Sequence, residues 1–482
     1  MQWTVQEVAR ALGCAVPSGL DPMARLAGVS IDSRTVGCGQ LFVAIHGPRY
    51  DGHAFVATAL EAGATAAIVA EGRVAGYPEA IRGKLFGVSD TLAALQELAR
   101  AVRRSWGRRI AAVTGSVGKT TTKEILAALL GAKFRVLKSE GNLNNEYGLP
   151  LTLLRLDPAD EAAVLELGMS HRGELQRLAE IAEPEVGVVT RVAPVHLEFF
   201  ASVDEIALAK RELIEGLCGT DPVAVLNADD PRVAQFAKTA RGRVVTYGIE
   251  AKAEYRARRI EERGAEGSAF DFISPEGCVR LSLPLPGRHN IENTLAALAA
   301  ASLWGIGGEE AAAVFPQLLP GEMRGRLLRF SAGFAVINDS YNSNPVALGA
   351  MINLLARTPG YQRRILAAGE MLELGPDSAR LHREAGRLAA KEKLDWVLGV
   401  QGEASELANG AVEGGLPAPR ARFFATSAVA AAFVCDMVQP GDLLLVKGSR
   451  GVKMERIVEA LRERYGLAGD LAAGPAARPG RG

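Results

Sequence analysis

The sequence predicts a multidomain α/β protein built on parallel sheets, and three observations carry that prediction. The first is length, since 482 residues exceed what one hydrophobic core usually organises. The second is alternation. From residue 110 onward the short apolar runs "IAAVTG", "AAVLELG", "VGVVTR" and "VAVLN" each end in Gly, Thr, Arg or Asn, and helical patterns lie between several of them. The third is a break followed by a restart. The stretch "PQLLPGEMRGRL" concentrates Pro316, Pro320 and Gly321, and beyond it "FAVIND", "RILAAGE", "DWVLGV" and "DLLLVKG" resume as strands of a second α/β unit.

These signals divide the chain into residues 1–84, 85–320 and 321–465. A Gly/Ala/Pro/Arg-rich tail over 466–482 is expected to be disordered. In the first unit, "VSIDSRTVGCGQLFVAI" holds two β-like runs around a turn-rich middle. "HAFVATALEAGATAAIVA" reads as a helix, a stop at Gly63 and a buried strand. Residues 91–104, "TLAALQELARAVRR", form an amphipathic helix leading into the central unit.

Lys+Arg and Asp+Glu are both 55, so the formal net charge is zero and no polyanion such as nucleic acid is indicated as a partner. The five cysteines, Cys14, Cys38, Cys218, Cys278 and Cys435, are scattered without a CxxC pair, as in a reducing cytoplasm. The N-terminal "MQWTVQEVARALGCAV" is amphipathic, with Glu7 and Arg10 inside it, unlike a signal peptide. No run approaches the length of a membrane span, so a cytoplasmic protein without membrane insertion is expected.

The chemistry starts at "VTGSVGKTTTKE", residues 113–124. A buried strand, a Gly turn and a helix N-terminus in that order form a phosphate loop, in which backbone N–H groups and the helix dipole attract an anion. Lys119 would reach the outer phosphates, and Thr120 or Thr121 could ligate magnesium. Gly115 and Gly118 are separated by two residues rather than the usual four, which disfavours a generic ATPase and points to a subgroup.

Other residues gather at strand ends. Glu166 closes "AAVLELG", where a carboxylate is either a magnesium ligand or a solvated charge. His196 follows the next strand in "RVAPVHLEFF" and is either structural or catalytic. Lys210, mid-helix in "DEIALAKRELIEGL", reads by itself as a surface lysine. In "GRHNIENTLAALAA", Asn290 and Asn293 share a helix face and either read an adenine edge or cap the helix. "NDSYNSNP" is a polar loop after a strand, and "DLLLVKGSRG" places Lys447, Ser449 and Arg450 at another strand end suited to an anion.

Taken in order, "DSRTVGCGQLFVAIHGPRYDGHAF", "TGSVGKTTTKE", "GNLNNEYGLPLTLL", "LELGMSHRGEL", "APVHLEFF", "AKRELI", "PGRHNIEN", "RGRL", "DSYNSNP", "GEMLELG" and "VKGSR" resemble the Mur ligases over about residues 25–460. These are ATP-dependent amide-forming enzymes of peptidoglycan precursor synthesis. "TGSxGKT", "GNLNN", "ELGMSHRGEL" and "DSYNSNP" are similar to the versions found in members that add D-alanyl-D-alanine to UDP-N-acetylmuramoyl-tripeptide. Folylpolyglutamate synthases share the core but lack the "DSR…DGH" unit.

The resemblance implies a UDP-substrate-binding domain, a central P-loop-type ATP-binding domain and a C-terminal Rossmann-like domain that meets the amine. It implies ATP and Mg²⁺ as cofactors; a monomer is expected. Gly115, Ser116, Gly118, Lys119, Thr120 and Thr121 would hold ATP phosphates, with Asn290 and Asn293 beside adenine. Arg326 and Asp339 would close on phosphate and ribose, and the "RGR" stretch offers Arg324 as the other candidate. Thr120, Glu166, His196 and Lys210 would serve metal, Lys210 as a carbamate. Lys119, Lys210 and His196 would be catalytic. Ser33, Arg34, Asn142, Asn144, Asn145, Tyr341, Asn342 and Lys447 would contact substrates.

Overall fold

The computed structural model describes residues 3–47, 50–195 and 197–468. His196 and nearly all of the 466–482 tail therefore lie outside the described residues.

Three parallel-rich sheets follow one another along the chain. Near the N-terminus, helix Val5–Leu12 starts in a capping box between Thr4 and Glu7 and stops at left-handed Gly13. Strands Val29–Ser30, Leu41–Val43, Ala66–Ala70 and Leu85–Val88 then pair in that order, all parallel. The "DGH" stretch fastens this unit. His53 shares a hydrogen bond of 2.7 Å between Nδ1 and the Asp51 carboxylate, and its Nε2 accepts the Ala70 N–H at 2.9 Å. A Cβ on Gly52 would press on the Ile45 backbone.

Helix Thr91–Trp106 connects this unit to the next. It gives Ala94, Leu95 and Leu98 to the N-terminal core and Ala99, Val102 and Trp106 to the central one. Its Asp90 cap and left-handed Gly107 fix both ends.

The central sheet runs Gly277–Leu283, Ser268–Ser274, Tyr255–Glu262, Arg243–Gly248, Val223–Asn227, Val186–Val189, Ile110–Thr114, Ala162–Glu166 and Val136–Lys138. The four strands predicted from "IAAVTG", "AAVLELG", "VGVVTR" and "VAVLN" sit side by side in its middle. Their residues are buried on both faces, which is why they read as continuous apolar runs. The first two strands of the order are antiparallel additions, which the parallel alternation does not predict.

The C-terminal sheet runs Arg326–Arg329, Ala335–Asp339, Asp442–Lys447, Arg363–Gly369, Trp396–Val400 and Ala421–Phe424. Only its first pair is antiparallel. Among the described residues no helix is long and apolar enough to cross a membrane.

Candidate active site

Ligands of parallel sheets gather outside the carboxyl ends of the strands. Here the carboxyl ends of two sheets line one cavity of about 760 Å³. The central sheet contributes residues at or just after the ends of Ile110–Thr114, Ala162–Glu166, Val186–Val189 and Val223–Asn227. The C-terminal sheet contributes Asp339 and Lys447.

The phosphate loop enters this cavity. Between strand Ile110–Thr114 and helix Lys119–Leu130, the Ser116 N–H donates to the Arg191 carbonyl at 2.7 Å and its hydroxyl to Ala193 at 3.1 Å. The Thr190 hydroxyl donates to the Val117 carbonyl at 2.6 Å. Gly115 and Gly118 have φ of 148° and 88°. A Cβ at Gly115 would overlap the Thr190 hydroxyl, and one at Gly118 the Asn293 amide. The two closely spaced glycines therefore mark the two points where the loop backbone touches its neighbours. The Lys119 ammonium donates to the Gly115 carbonyl at 2.8 Å. Burial pulls its pKa below the ordinary lysine value, Glu166 opposes that pull, and the Arg324 charge adds to it.

Glu166 is 3% exposed, so the solvated-charge reading is excluded. Its Oε2 accepts the Thr120 hydroxyl at 2.7 Å, and its Oε1 accepts the Asn144 side-chain amide at 2.9 Å. A hydroxyl and a carboxylate are the hard oxygen donors that Mg²⁺ prefers. Among the described residues no three His, Cys, Asp or Glu side chains form a complete cage. Thr120 and Glu166 thus fit the way Mg²⁺ is held beside nucleotide, through few protein ligands plus phosphate oxygens.

Lys210 corrects the reading as a surface lysine, because it is only 2% exposed. In helix Val203–Glu215 it lies four residues after Ile206 and three before Leu213, on the core-facing stripe. Burial lowers its pKa well below the ordinary lysine value, and the Lys119 charge lowers it further. The neutral amine is favoured.

Asn290 and Asn293 do not cap their helix. The cap of Arg288–Ala301 is Gly287, with no side-chain capping bond. The Asn290 amide donates to the Pro286 carbonyl at 2.7 Å, and Asn293 donates to Asn290 Oδ1 at 3.2 Å. Both line the cavity with His289. Burial, partly offset by Asp339, lowers the His289 pKa to about 4. A proton NMR titration of its ring should therefore show a midpoint near pH 4, with the ring neutral at pH 6; a midpoint near 6.5 would contradict this environment.

On the facing sheet, Asp339 and Lys447 are register partners, and the Lys447 ammonium donates to Asp339 at 2.6 Å and to the Asn342 carbonyl at 2.9 Å. Lys447 is buried and already paired, whereas Ser449 accepts the Leu372 N–H at 3.0 Å. In "NDSYNSNP", Asn344 caps helix Pro345–Arg357 through Ala347 N–H at 2.9 Å, while Asp339, Tyr341 and Asn342 line the cavity. The Arg324 guanidinium lies 4.1 Å from the Tyr341 ring centroid and lines the cavity too.

Of the other expected site residues, Ser116, Thr121, Asn144 and Asn145 also line the cavity. Arg326, Asn142, Ser33 and Arg34 do not. Arg326 is exposed on its strand, Asn142 is exposed in a turn, and Arg34 is exposed and paired to Asp32 at 2.6 Å. The sequence alone does not mark Arg191 and Glu292, which pair at 2.9 Å on the cavity wall. One follows a strand and the other sits mid-helix, and no local pattern links them.

Family models match three stretches of the chain. These are the Mur ligase family catalytic domain over residues 25–103, the Mur ligase middle domain over 113–301 and the Mur ligase glutamate ligase domain over 323–450. The chain is 37% identical over 436 residues to the UDP-N-acetylmuramoyl-tripeptide--D-alanyl-D-alanine ligase of Bacillus subtilis (strain 168), covering 90% of this chain and 93% of that protein. It is 36% identical over 443 residues to the protein of the same name from Escherichia coli (strain K12), with the same coverage of 90% and 93%. A crystal structure of MurF from Acinetobacter baumannii superposes with a TM-score of 0.86 at 30% identity, covering 96% of this chain and 99% of that one. MurF ligase from Thermotoga maritima, solved in complex with ADP, gives 0.78 at 29% identity, covering 90% and 97%. Matched in order along its length and in fold almost end to end, the chain belongs to the Mur ligase family.

Proposed function

We infer that this chain is an ATP-dependent ligase joining D-alanyl-D-alanine to UDP-N-acetylmuramoyl-tripeptide through an acyl phosphate, in peptidoglycan precursor synthesis. The observation that carries this reading is the single cavity in which a phosphate loop and a buried carboxylate face the carboxyl end of a second sheet. The relatives named for this reaction support it.

A carboxylate is a poor electrophile, so it first needs a leaving group. An oxygen of the tripeptide carboxylate attacks the γ-phosphorus of ATP, and the bond to the β-phosphate oxygen breaks. The D-alanyl-D-alanine amine then attacks the acyl carbon. The tetrahedral adduct collapses, the C–O bond to phosphate breaks, and a proton leaves the nitrogen. Lys119 and the loop N–H groups meet the charge that builds on the transferred group. Thr120 and Glu166 are the residues that would hold Mg²⁺, which when bound would supply further charge neutralisation. Asn290 and Asn293 take the adenine side, and Asp339 the ribose. Because phosphate leaves with a carboxylate oxygen, an ¹⁸O-labelled tripeptide carboxylate should deliver one ¹⁸O to the released phosphate. Unlabelled phosphate would refute the acyl phosphate.

We assign Lys210 as a carbamate beside a second magnesium, with His196 as a further ligand. The neutral amine that burial favours is the form that adds to CO₂: an N–C bond forms, a carboxylate results and a proton is released. An ammonium at this position would repel a cation. Residues 1–84 take the uridine nucleotide near Ser33 and Arg34. Residues 85–320 take ATP, and residues 321–465 take the amine, with Tyr341, Asn342 and Lys447 at the junction. The enzyme acts as a cytoplasmic monomer.

Arg324, rather than Arg326, is the arginine we assign to nucleotide, because it alone of the two lines the cavity. Arg324→Ala should raise the KM for ATP by roughly tenfold, the loss of one charge-assisted contact. Arg326→Ala should leave it within about twofold. Steady-state kinetics at varied ATP would check this, and the reverse pattern would overturn the assignment.

A further inference from the structure

Lys123 is the most deeply buried ammonium that this mechanism leaves unused. It is 0% exposed, one turn after Thr120 on helix Lys119–Leu130. Its Nζ donates to the Ser139 carbonyl at 2.7 Å and pairs with Glu124 at 2.9 Å. Burying an ammonium costs several kcal/mol, and an apolar side chain of similar volume is often as stable or more so. Fold stability alone is therefore a weak reason for a lysine here.

What the lysine touches gives a better one. Ser139 is 1% exposed and directly follows Lys138, the last residue of strand Val136–Lys138 paired with strand Ala162–Glu166. Its own N–H donates to Val164 at 3.1 Å, and its hydroxyl accepts the N–H of Glu166 at 3.0 Å. Five residues later the same loop returns. The Gly168 N–H donates to the Asn144 carbonyl at 2.8 Å, and the Asn144 amide donates to Glu166 Oε1 at 2.9 Å. The other carboxylate oxygen accepts from Thr120, on the helix that carries Lys123. One helix thus holds the Glu166 carboxylate directly through Thr120. It also grips, through Lys123, the loop that holds the backbone N–H and second oxygen of Glu166.

We propose that Lys123 is a positioning residue for the metal site: by fixing the Ser139 carbonyl it sets the 139–145 loop, and through it the orientation of the Glu166 carboxylate. Lys123 does not touch the reacting atoms. The inference rests on the reading of Thr120 and Glu166 as the Mg²⁺ ligands. Partners that orient a ligand commonly account for ten- to a hundredfold in metal affinity or activity.

The test is Lys123→Met, which keeps the volume and removes the donor. Three measurements are made: thermal unfolding, steady-state kinetics at varied Mg²⁺, and Mn²⁺ binding to the enzyme with ADP, followed by electron paramagnetic resonance. The expected result is unfolding close to wild type, a Mn²⁺ dissociation constant raised about tenfold or more, and kcat lowered with KM for the peptide substrates unchanged. Glu124→Gln, which spares the Ser139 contact, should leave Mn²⁺ binding as in wild type. If Lys123→Met does not fold, Lys123→Gln takes its place with the same expected rise. Wild-type Mn²⁺ affinity in the folded variant overturns the proposal. Glu166→Gln separates the two readings. If it binds Mn²⁺ normally, the metal site itself is misassigned. If it loses Mn²⁺ while Lys123→Met keeps it, only the role of Lys123 fails.

Discussion

Lys119→Ala should lower ATP-dependent product formation about a thousandfold, equivalent to about 4 kcal/mol of transition-state stabilisation. The size follows from where the ammonium sits. It is the first residue of helix Lys119–Leu130, at the positive end of the helix dipole, and it lies back across the loop onto the Gly115 carbonyl. Glu166 favours its charged form against the cost of burial. Its Nζ is held on the Gly115 carbonyl, where its charge would face the transferred phosphoryl group as that group gains charge. The fold should survive, because alanine is the best helix former and Lys119 supplies no capping bond. The loss should fall on kcat, with the KM for D-alanyl-D-alanine little changed. Coupled ADP release together with product mass would measure this. A kcat within about tenfold of wild type would remove Lys119 from the chemistry.

Lys210→Ala should cost about a hundredfold or more in kcat, and a short carboxylic acid such as acetate should restore part of it. Lys210→Met, which refills the space in the helix–sheet core, should be as stable as wild type and equally inactive. That pair separates a lost carboxylate from a lost packing atom, since only the chemical role makes a well-packed variant inactive. The depressed pKa sets a further expectation. Burial and the Lys119 charge lower the cost of the neutral amine, so ¹³C-labelled bicarbonate should give a carbamate resonance in wild type and none in Lys210→Met. Full activity in Lys210→Ala would end the proposed role. So would inactivity unrelieved by carboxylic acids in an enzyme indifferent to bicarbonate.

Much of this architecture is legible in the sequence because it rests on local patterns. The central parallel strands are apolar on both faces and end in turn residues, so they stand out as runs. The antiparallel strands over 255–283 do not. "YRARRIEE" carries charges at most positions because Tyr255–Glu262 is partly exposed, and its antiparallel partner Ser268–Ser274 lies beyond it in the chain. The phosphate loop is legible as strand, turn and helix, but the reason for its glycine spacing is not. Gly115 is crowded by Thr190 and Gly118 by Asn293, residues brought there only by the tertiary fold. Lys210 shows the opposite failure. Its place on the stripe of Ile206 and Leu213 is visible, but its residue type argues for the surface. The arrangement of Asp339 opposite Lys447 comes from register between strands more than a hundred residues apart, for which no short motif exists.

The central claim is that the phosphate from ATP activates a tripeptide carboxylate for attack by D-alanyl-D-alanine. The most direct measurement is phosphate release with UDP-N-acetylmuramoyl-tripeptide, ATP and Mg²⁺, comparing D-alanyl-D-alanine with diaminopimelate, lysine and glutamate, with the product identified by mass. The account predicts release only with D-alanyl-D-alanine, matched one for one by a UDP-N-acetylmuramoyl-pentapeptide. Release driven by a diamino acid or glutamate, or release without peptide product, would contradict it.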